Sequence, residues 1–273
     1  MASRLLVCAL AAGSFLEAQT RIEVHGVTSA VIEKRLQLDV KKNDERRARL
    51  VELFQEAGCT DEMLSSPTVH GSKIPNLICT LPGESASIIV IGAHFDAVDK
   101  GHGIVDNWSG AALLPSIFEA LKSKPRRHTL VFIGFTGEEQ GLLGSKDYVK
   151  QFKKDDIHQI RAMVNMDTMG LGISAVWQSH ADKELLTFLS DVAGTFKIPL
   201  QAVNVENIGS TDSEPFRERK VPAITFHSLT QQTLPILHST RDTIQEIHMP
   251  EYFESYRLIA FYIAYIDQKL ALE

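Results

Sequence analysis

Ile88-Ile89-Val90-Ile91-Gly92-Ala93-His94-Phe95-Asp96 is an apolar run that stops abruptly at side chains able to bind a metal or carry a proton. The pattern returns within residues 87–144, as Leu130-Val131-Phe132-Ile133-Gly134-Phe135-Thr136-Gly137-Glu138-Glu139. Between the two runs, residues 107–123 read as a helix. Strand, helix and strand in that order imply two parallel strands whose carboxyl ends point the same way. Ligand sites gather at that edge of an α/β sheet. Asp106 lies there too, twelve positions after His94, in Gly103-Ile104-Val105-Asp106-Asn107-Trp108-Ser109-Gly110.

Outward from this segment the alternation continues. Toward the C-terminus a helix is expected near 145–152, a strand over 160–166 that stops at Asp167, a strand over 173–177 and a helix over 183–196. Residues 222–226 form a further strand ending at His227, and the loop beyond it delivers His238. A last helix over 250–270 places Leu258, Ile259, Phe261, Tyr262 and Ile266 at helical spacing. Toward the N-terminus, 27–40 and 44–57 read as packing helices, and Leu77-Ile78-Cys79-Thr80 as a strand ended by Leu81-Pro82-Gly83. The expectation is an α/β three-layer sandwich, with a mixed, mostly parallel central sheet and helices on both faces. At 273 residues with 44% apolar side chains, one domain over 21–273 can bury a substantial core.

A net charge of −6 argues against a nucleic-acid partner, since phosphate binding needs clustered Lys and Arg. Lys122, Lys124, Arg126 and Arg127 do cluster, but between a helix and a strand, where a solvated loop is expected. Arg4, the apolar run 5–16 and small residues near Ala18 read as an export signal over 1–20, too short in its apolar part to span a bilayer. The alternative, a buried helix, lacks a second apolar stripe at Ser14, Glu17 and Gln19. An exported chain, periplasmic or secreted, would keep Cys59 and Cys79 as an even pair. A disulfide is expected if adjacent antiparallel strands bring them together; two separate buried thiols are the alternative.

The strand-end and loop residues His94, Asp106, Glu139, Asp167 and His238 make a set of two imidazoles and three carboxylates. Imidazole nitrogen and carboxylate oxygen both bind zinc, and a carboxylate with two oxygens can bridge two ions. With one bridging, five residues provide three protein ligands per metal and leave a position for water or substrate. Asp96 is placed to accept the other ring N–H of His94. Glu138, beside the ligand Glu139, is free to move protons. Each motif alone is more often a solvated surface group; four strand ends or following loops each supplying a ligand type is what chance rarely does. The remaining histidines, His128 and His227 among them, lack comparable partners in sequence.

Gly-Ala-His94-Phe-Asp96, Val-Asp106-Asn-Trp-Ser-Gly, Gly-Glu138-Glu139-Gln-Gly-Leu-Leu-Gly-Ser, Asn-Met-Asp167 and His238-Ser-Thr-Arg-Asp-Thr together resemble the dinuclear zinc aminopeptidases of bacteria. The resemblance covers essentially the whole chain after the export signal, in a family that also includes glutamate carboxypeptidases and glutaminyl cyclases. It implies two zinc ions, His94 and Asp167 holding one, Glu139 and His238 the other, with Asp106 bridging. It also implies Glu138 as general base, Asp96 as the partner of His94, and a cis peptide between Asp106 and Asn107. Ser213 stands where the family commonly has His, and Leu237 where some relatives have Tyr. The implied reaction is hydrolysis of the N-terminal residue from peptides with a free N-terminus. The loop from Leu229 to Leu237 either walls an apolar side-chain pocket or packs on the core. Glutaminyl cyclisation, carboxypeptidase action and a non-catalytic binding module are the alternatives on the same fold. The run from Glu138 through Ser145 looks peptidase-like, and a binding module could dispense with the ligands this chain keeps.

Overall fold

The computed structural model describes residues 22–205 and 209–272, so the expected export signal lies outside the described residues. The described residues form one sheet of strands β1 (Leu64–Ser65), β2 (Leu77–Leu81), β3 (Ile88–His94), β4 (Thr129–Phe135), β5 (Ile160–Met166), β6 (Ala175–Val176), β7 (Gln201–Ala202) and β8 (Ala223–His227). The spatial order is β1-β2-β4-β3-β5-β8-β6-β7. The central four, β4, β3, β5 and β8, are mutually parallel, while β2 and β6 flank them antiparallel. The helices are α1 (Ser29–Leu36), α2 (Asn43–Glu56), α3 (Ser109–Ala111), α4 (Leu113–Leu121), α5 (Leu143–Lys150), α6 (Lys183–Phe196), α7 (Glu214–Glu218) and α8 (Met249–Lys269).

Successive strand residues point to opposite faces, and here both faces are covered. Ile89, Ile91, Phe132 and Val164 pack with Phe54 of α2, Ile117 of α4, Leu189 of α6 and Ile259 of α8. Val90, Val131, Ile133 and Met163 pack on the other side with Tyr148 and Val149 of α5 and Phe216 of α7. That is why β3 and β4 read as unbroken apolar runs, and it gives the expected three layers. Phe54, Phe118 and Phe132 meet edge to face at 5.7 to 6.5 Å between centroids, the arrangement ring quadrupoles favour.

Several expectations are corrected. The single helix over 107–123 is an irregular turn (Ile104–Trp108), with non-helical backbone at Asp106 and Asn107, followed by α3 and α4. Residues 27–40 keep only α1, which starts after Thr28, whose hydroxyl accepts the Val31 amide at 3.4 Å, and stops where Gln37 turns extended. The strand over 173–177 shrinks to β6, because Ile173, after Gly172, is 40% exposed. The basic cluster is not simply solvated. Lys122 donates to the Ala57 carbonyl at 2.6 Å, Arg126 to Pro82, Lys122 and Lys124 each at 2.7 Å, and Arg127 to Gln268 at 2.6 Å. Of these acceptors, the Ala57, Lys122 and Gln268 carbonyls are among those that the ends of α2, α4 and α8 leave open, and Pro82 follows β2.

Cys59 and Cys79 are joined in a disulfide, with Cα atoms 6.5 Å apart. The route differs from two adjacent strands: Cys59 lies just past α2, and it is Leu64 of β1 that pairs with Cys79 in β2. Closing a loop of this size stabilises a fold by about 3 kcal/mol. No helix among the described residues is long and apolar enough to cross a membrane.

Candidate metal centre

The chain leaves β3 to form β4 on one side of it and then β5 on the other, so a crevice opens beyond the carboxyl end of β3. His94 is the last residue of β3, Asp167 follows β5, and Glu138 and Glu139 follow β4. Asp106 sits in the turn Ile104–Trp108, and His238 follows a 3-10 turn (Leu234–Ile236). The crevice brings all six together.

Asp106 stands between the two imidazoles. Its Oδ1 is 3.4 Å from His94 Nε2 and its Oδ2 3.2 Å from His238 Nε2. His94 Nε2 is also 3.5 Å from Asp167 Oδ1, and His238 Nε2 is 3.1 Å from Glu139. One donor atom from each of His94, Glu138 and Asp167 falls within 4.8 Å of the others, and so does one from each of Asp106, Glu139 and His238. His94 is 2% and Asp106 8% exposed, whereas the His238 side chain is 54% exposed, so the second group is the one open to solvent.

Neighbouring side chains hold these groups in place. The Asp106–Asn107 peptide bond is cis. The Asn107 amide accepts the N–H groups of Gly110 and Thr168, both at 3.0 Å, and donates to the Met166 carbonyl at 2.9 Å. It thereby locks the start of α3 to the end of β5. Gly110 is needed for that approach, because a Cβ there would lie 2.6 Å from both Asn107 Oδ1 and the Met166 carbonyl. Thr211 donates to Asp167 Oδ2 at 2.9 Å and accepts from Asn165 at 2.6 Å. Thr168 and His238, both beside the crevice, have left-handed backbones at φ 64° and 51°, conformations non-glycine residues rarely adopt.

The expectation for Asp96 is corrected. His94 Nδ1 lies 3.1 Å from the backbone carbonyl of Asp96 and 3.8 Å from its carboxylate, beyond hydrogen-bond range. The carboxylate instead accepts the amides of Glu138 at 3.2 Å and Glu139 at 3.3 Å. Asp96 therefore fixes the ring of His94 through its main chain and the Glu138–Glu139 turn through its side chain.

The electrostatics ask for a cation. Burial, and then Asp167, Asp212 and Asp106, push the Glu138 carboxyl up to about 10 against the opposing pull of His94. Burial and Asp106 push Glu139 up to about 7. Burial works against ionising Asp106, but bonds from His238 and His94 outweigh it and hold it below the usual carboxylate range. The bond to Asp106, aided by Glu139, raises His238 to about 9, and His94 is likewise held well above an ordinary imidazole. Crowded carboxylates facing two imidazoles form a donor set that suits divalent zinc, whose charge would relieve the crowding that protons otherwise must.

A cavity of about 590 Å³ opens over these groups, with Trp177, Val205, Leu229, Leu234 and Leu237 on its apolar side. Of the loop residues expected to wall a pocket, Ile236 turns into the core instead, 2% exposed.

Some neighbours were not anticipated. Asp212 is 1% exposed, and burial raises its carboxyl to about 7. Its only sequence signal is its place beside Ser213, the position where the family commonly has His. That serine bonds to Thr225 at 2.8 Å inside the fold. His227 also lines the cavity, but Val203 and Leu229 backbone groups occupy both ring nitrogens at 3.0 Å, and burial lowers its pKa, so it forms a neutral wall. His128 does have a partner, Asp267 at 3.2 Å, which ties α8 to the start of β4.

Residues 76–263 match peptidase family M28. The chain belongs to that family. It is 28% identical over 204 residues to a probable leucine aminopeptidase of Arthroderma otae, covering 70% of this chain and 57% of that one. It is 27% identical over 194 residues to aminopeptidase YwaD of Bacillus subtilis, covering 67% of this chain and 41% of the relative. The chain thus spans about half the length of the curated relatives it matches. Among solved structures, the LapA aminopeptidase of Legionella pneumophila superposes with a TM-score of 0.74 at 21% identity, covering 90% of this chain and 72% of that one. An Acidobacteriales glutaminyl cyclase superposes at 0.73 and 17% identity, covering 88% and 94%. At these identities the likeness establishes the fold.

Proposed function

We propose that this chain is a zinc-dependent aminopeptidase with a dinuclear site, hydrolysing the N-terminal residue of peptides. The observation that carries the reading is Asp106, with one carboxylate oxygen turned to each imidazole. His94 and Asp167 would hold one ion, Glu139 and His238 the other, and Asp106 both. Bound zinc supplies Lewis acidity, polarising a carbonyl and making water more acidic. With a bound cation in place of the proton that burial otherwise keeps on it, Glu138, next to the ligand Glu139, would take a proton from the attacking water and return it to the nitrogen of the leaving amine. Asp96 keeps Glu138 at that position through its backbone amide.

A free α-amine is a cation, and Glu138 and Asp167 line the cavity, where carboxylates ionised beside bound zinc would offer it negative charge. Leu229, Leu234 and Leu237 wall the same cavity and suit an apolar first side chain. The disulfide fits an oxidising compartment, in line with export.

The test assays leucine, lysine and glutamate amides, an N-acetylated peptide, a peptide ending in glutamate and one starting with glutamine, each with and without chelator. Chelator-sensitive cleavage of leucine amide, blocked by acetylation, is expected. Release of C-terminal glutamate, or pyroglutamate formation without hydrolysis, would assign one of the alternative activities instead.

A further inference from the structure

Arg46 of α2 is fully buried and is not one of the six clustered groups. Its Nε donates to the Phe95 carbonyl at 2.5 Å, Nη1 to His102 at 3.1 Å and Nη2 to Gly103 at 2.8 Å, and its guanidinium lies 5.5 Å from the centroid of the Trp108 ring. Those three carbonyls bracket the irregular loop that runs from His94-Phe95-Asp96 to Asp106. One turn earlier on α2, Asn43 accepts the Ala97 amide at 3.0 Å and donates to the Ala97 carbonyl at 3.2 Å. From the opposite side, Asp242 accepts the Val105 amide at 2.6 Å, and its carbonyl accepts His102 at 2.9 Å. Asp242 lies four residues past His238, so one network spans both loops. Gly103, at φ 62°, admits this packing: a Cβ there would lie 2.4 Å from the Ala97 Cβ and 3.0 and 3.2 Å from the Arg46 terminal nitrogens.

Stability alone does not call for a charge in this position. Burying a guanidinium is unfavourable, and an apolar side chain could fill the space. What an apolar residue lacks is a planar fork that spans separate carbonyls, and a positive charge facing Asp96, Asp242, Asp106 and Glu139. Burial lowers Arg46 to about 10, which leaves it cationic at neutral pH.

We infer that Arg46 is a positioning residue that sets the affinity of one metal position, the one formed by Asp106, Glu139 and His238. The inference rests on the two-metal reading above. His94, the last residue of β3, is in register with Phe135 of β4, and the amide of Asp167, just past β5, donates to the Phe226 carbonyl of β8 at 2.9 Å, so both are held by the sheet. Asp106, Glu139 and His238 all stand on loops, so their mutual geometry depends on what ties those loops together. Helix α2 supplies one part of that tie, and Arg46, reaching three carbonyls where Asn43 reaches Ala97 alone, makes most of its contacts.

The experiment titrates zinc into wild type, Arg46→Lys and Arg46→Met against a chromophoric chelator, and melts each protein free of metal. Wild type should bind two ions. Lysine keeps the charge without the fork, so Arg46→Lys should bind the second ion about 10- to 100-fold more weakly, and the first, which shares Asp106 but keeps His94 and Asp167 on the sheet, with a clearly smaller loss. Its metal-free melting temperature should stay within a few degrees of wild type, and added zinc should restore kcat with little change in KM. Arg46→Met should show a larger loss at the same position. Unchanged zinc affinities in folded variants would overturn the inference, as would both affinities falling by the same factor. Failure of both variants to fold would also overturn it in favour of a structural role. Fewer than two ions bound by wild type would instead remove the two-metal reading on which it stands.

Discussion

Glu138→Gln is expected to lower turnover by about 10²- to 10⁴-fold while leaving the zinc content unchanged. The amide keeps the size and planarity of the carboxyl but accepts no proton. The backbone amide of residue 138, which Asp96 holds at 3.2 Å, is untouched, so the turn carrying Glu139 should stay in register. Burial raises the Glu138 carboxyl to about 10, so in the metal-free protein a neutral amide of the same shape replaces a neutral carboxyl and folding should not suffer. The measurement pairs steady-state kinetics with elemental analysis of the same preparation. Near-normal turnover at full metal content would take Glu138 out of the proton-transfer role, whereas loss of metal together with turnover would make it a ligand.

Asp106→Asn is expected to weaken both metals and to lower turnover at limiting zinc by about 10²-fold or more, a loss at least as large as second-sphere changes produce. The amide leaves one oxygen where two are needed and places an N–H₂ donor against one of the imidazoles. The turn itself is held by the side chain of Asn107, so it should keep its shape in the metal-free variant, while loss of the charged bonds from His94 and His238 should lower the melting temperature. Asp106 is also among the groups that raise Glu139, and its neutralisation should let Glu139 ionise more readily. Zinc titration of the variant decides the matter. One ion still bound at wild-type affinity would show that Asp106 serves a single metal and does not bridge.

How much of this was legible in the sequence depended on how local the cause is. Strand β5 and helix α6 fall on the residues expected, because an apolar run stopped by Asp167 and a helix opened by Asp182 carry their own boundaries. The Asp182 carboxylate accepts the amides of Glu184 and Leu185, a cap written into adjacent residues. Strands β1 and β7, two residues each, are too short to show periodicity and exist through their pairing partners. The site residues were readable because each follows an apolar strand or sits in a distinctive turn. The side-chain role of Asp96 was not, because it depends on β3 and β4 lying side by side in a register that sets His94 against Phe135. Arg46 looks like an ordinary charge on a polar helix face. Its partners lie 49 to 57 residues away, and only the folded chain makes it a buried cation. Ile236, grouped with Leu234 and Leu237 by sequence, faces the core because the 3-10 turn there rotates it away from its neighbours.

The central claim, that one carboxylate is shared between two ions, is tested most directly by anomalous diffraction at the zinc absorption edge from crystals grown with zinc. Two peaks per chain are predicted, one bounded by His94 and Asp167, the other by Glu139 and His238, each with an oxygen of Asp106 as ligand. A single peak, or a second peak that Asp106 does not touch, would contradict the dinuclear site.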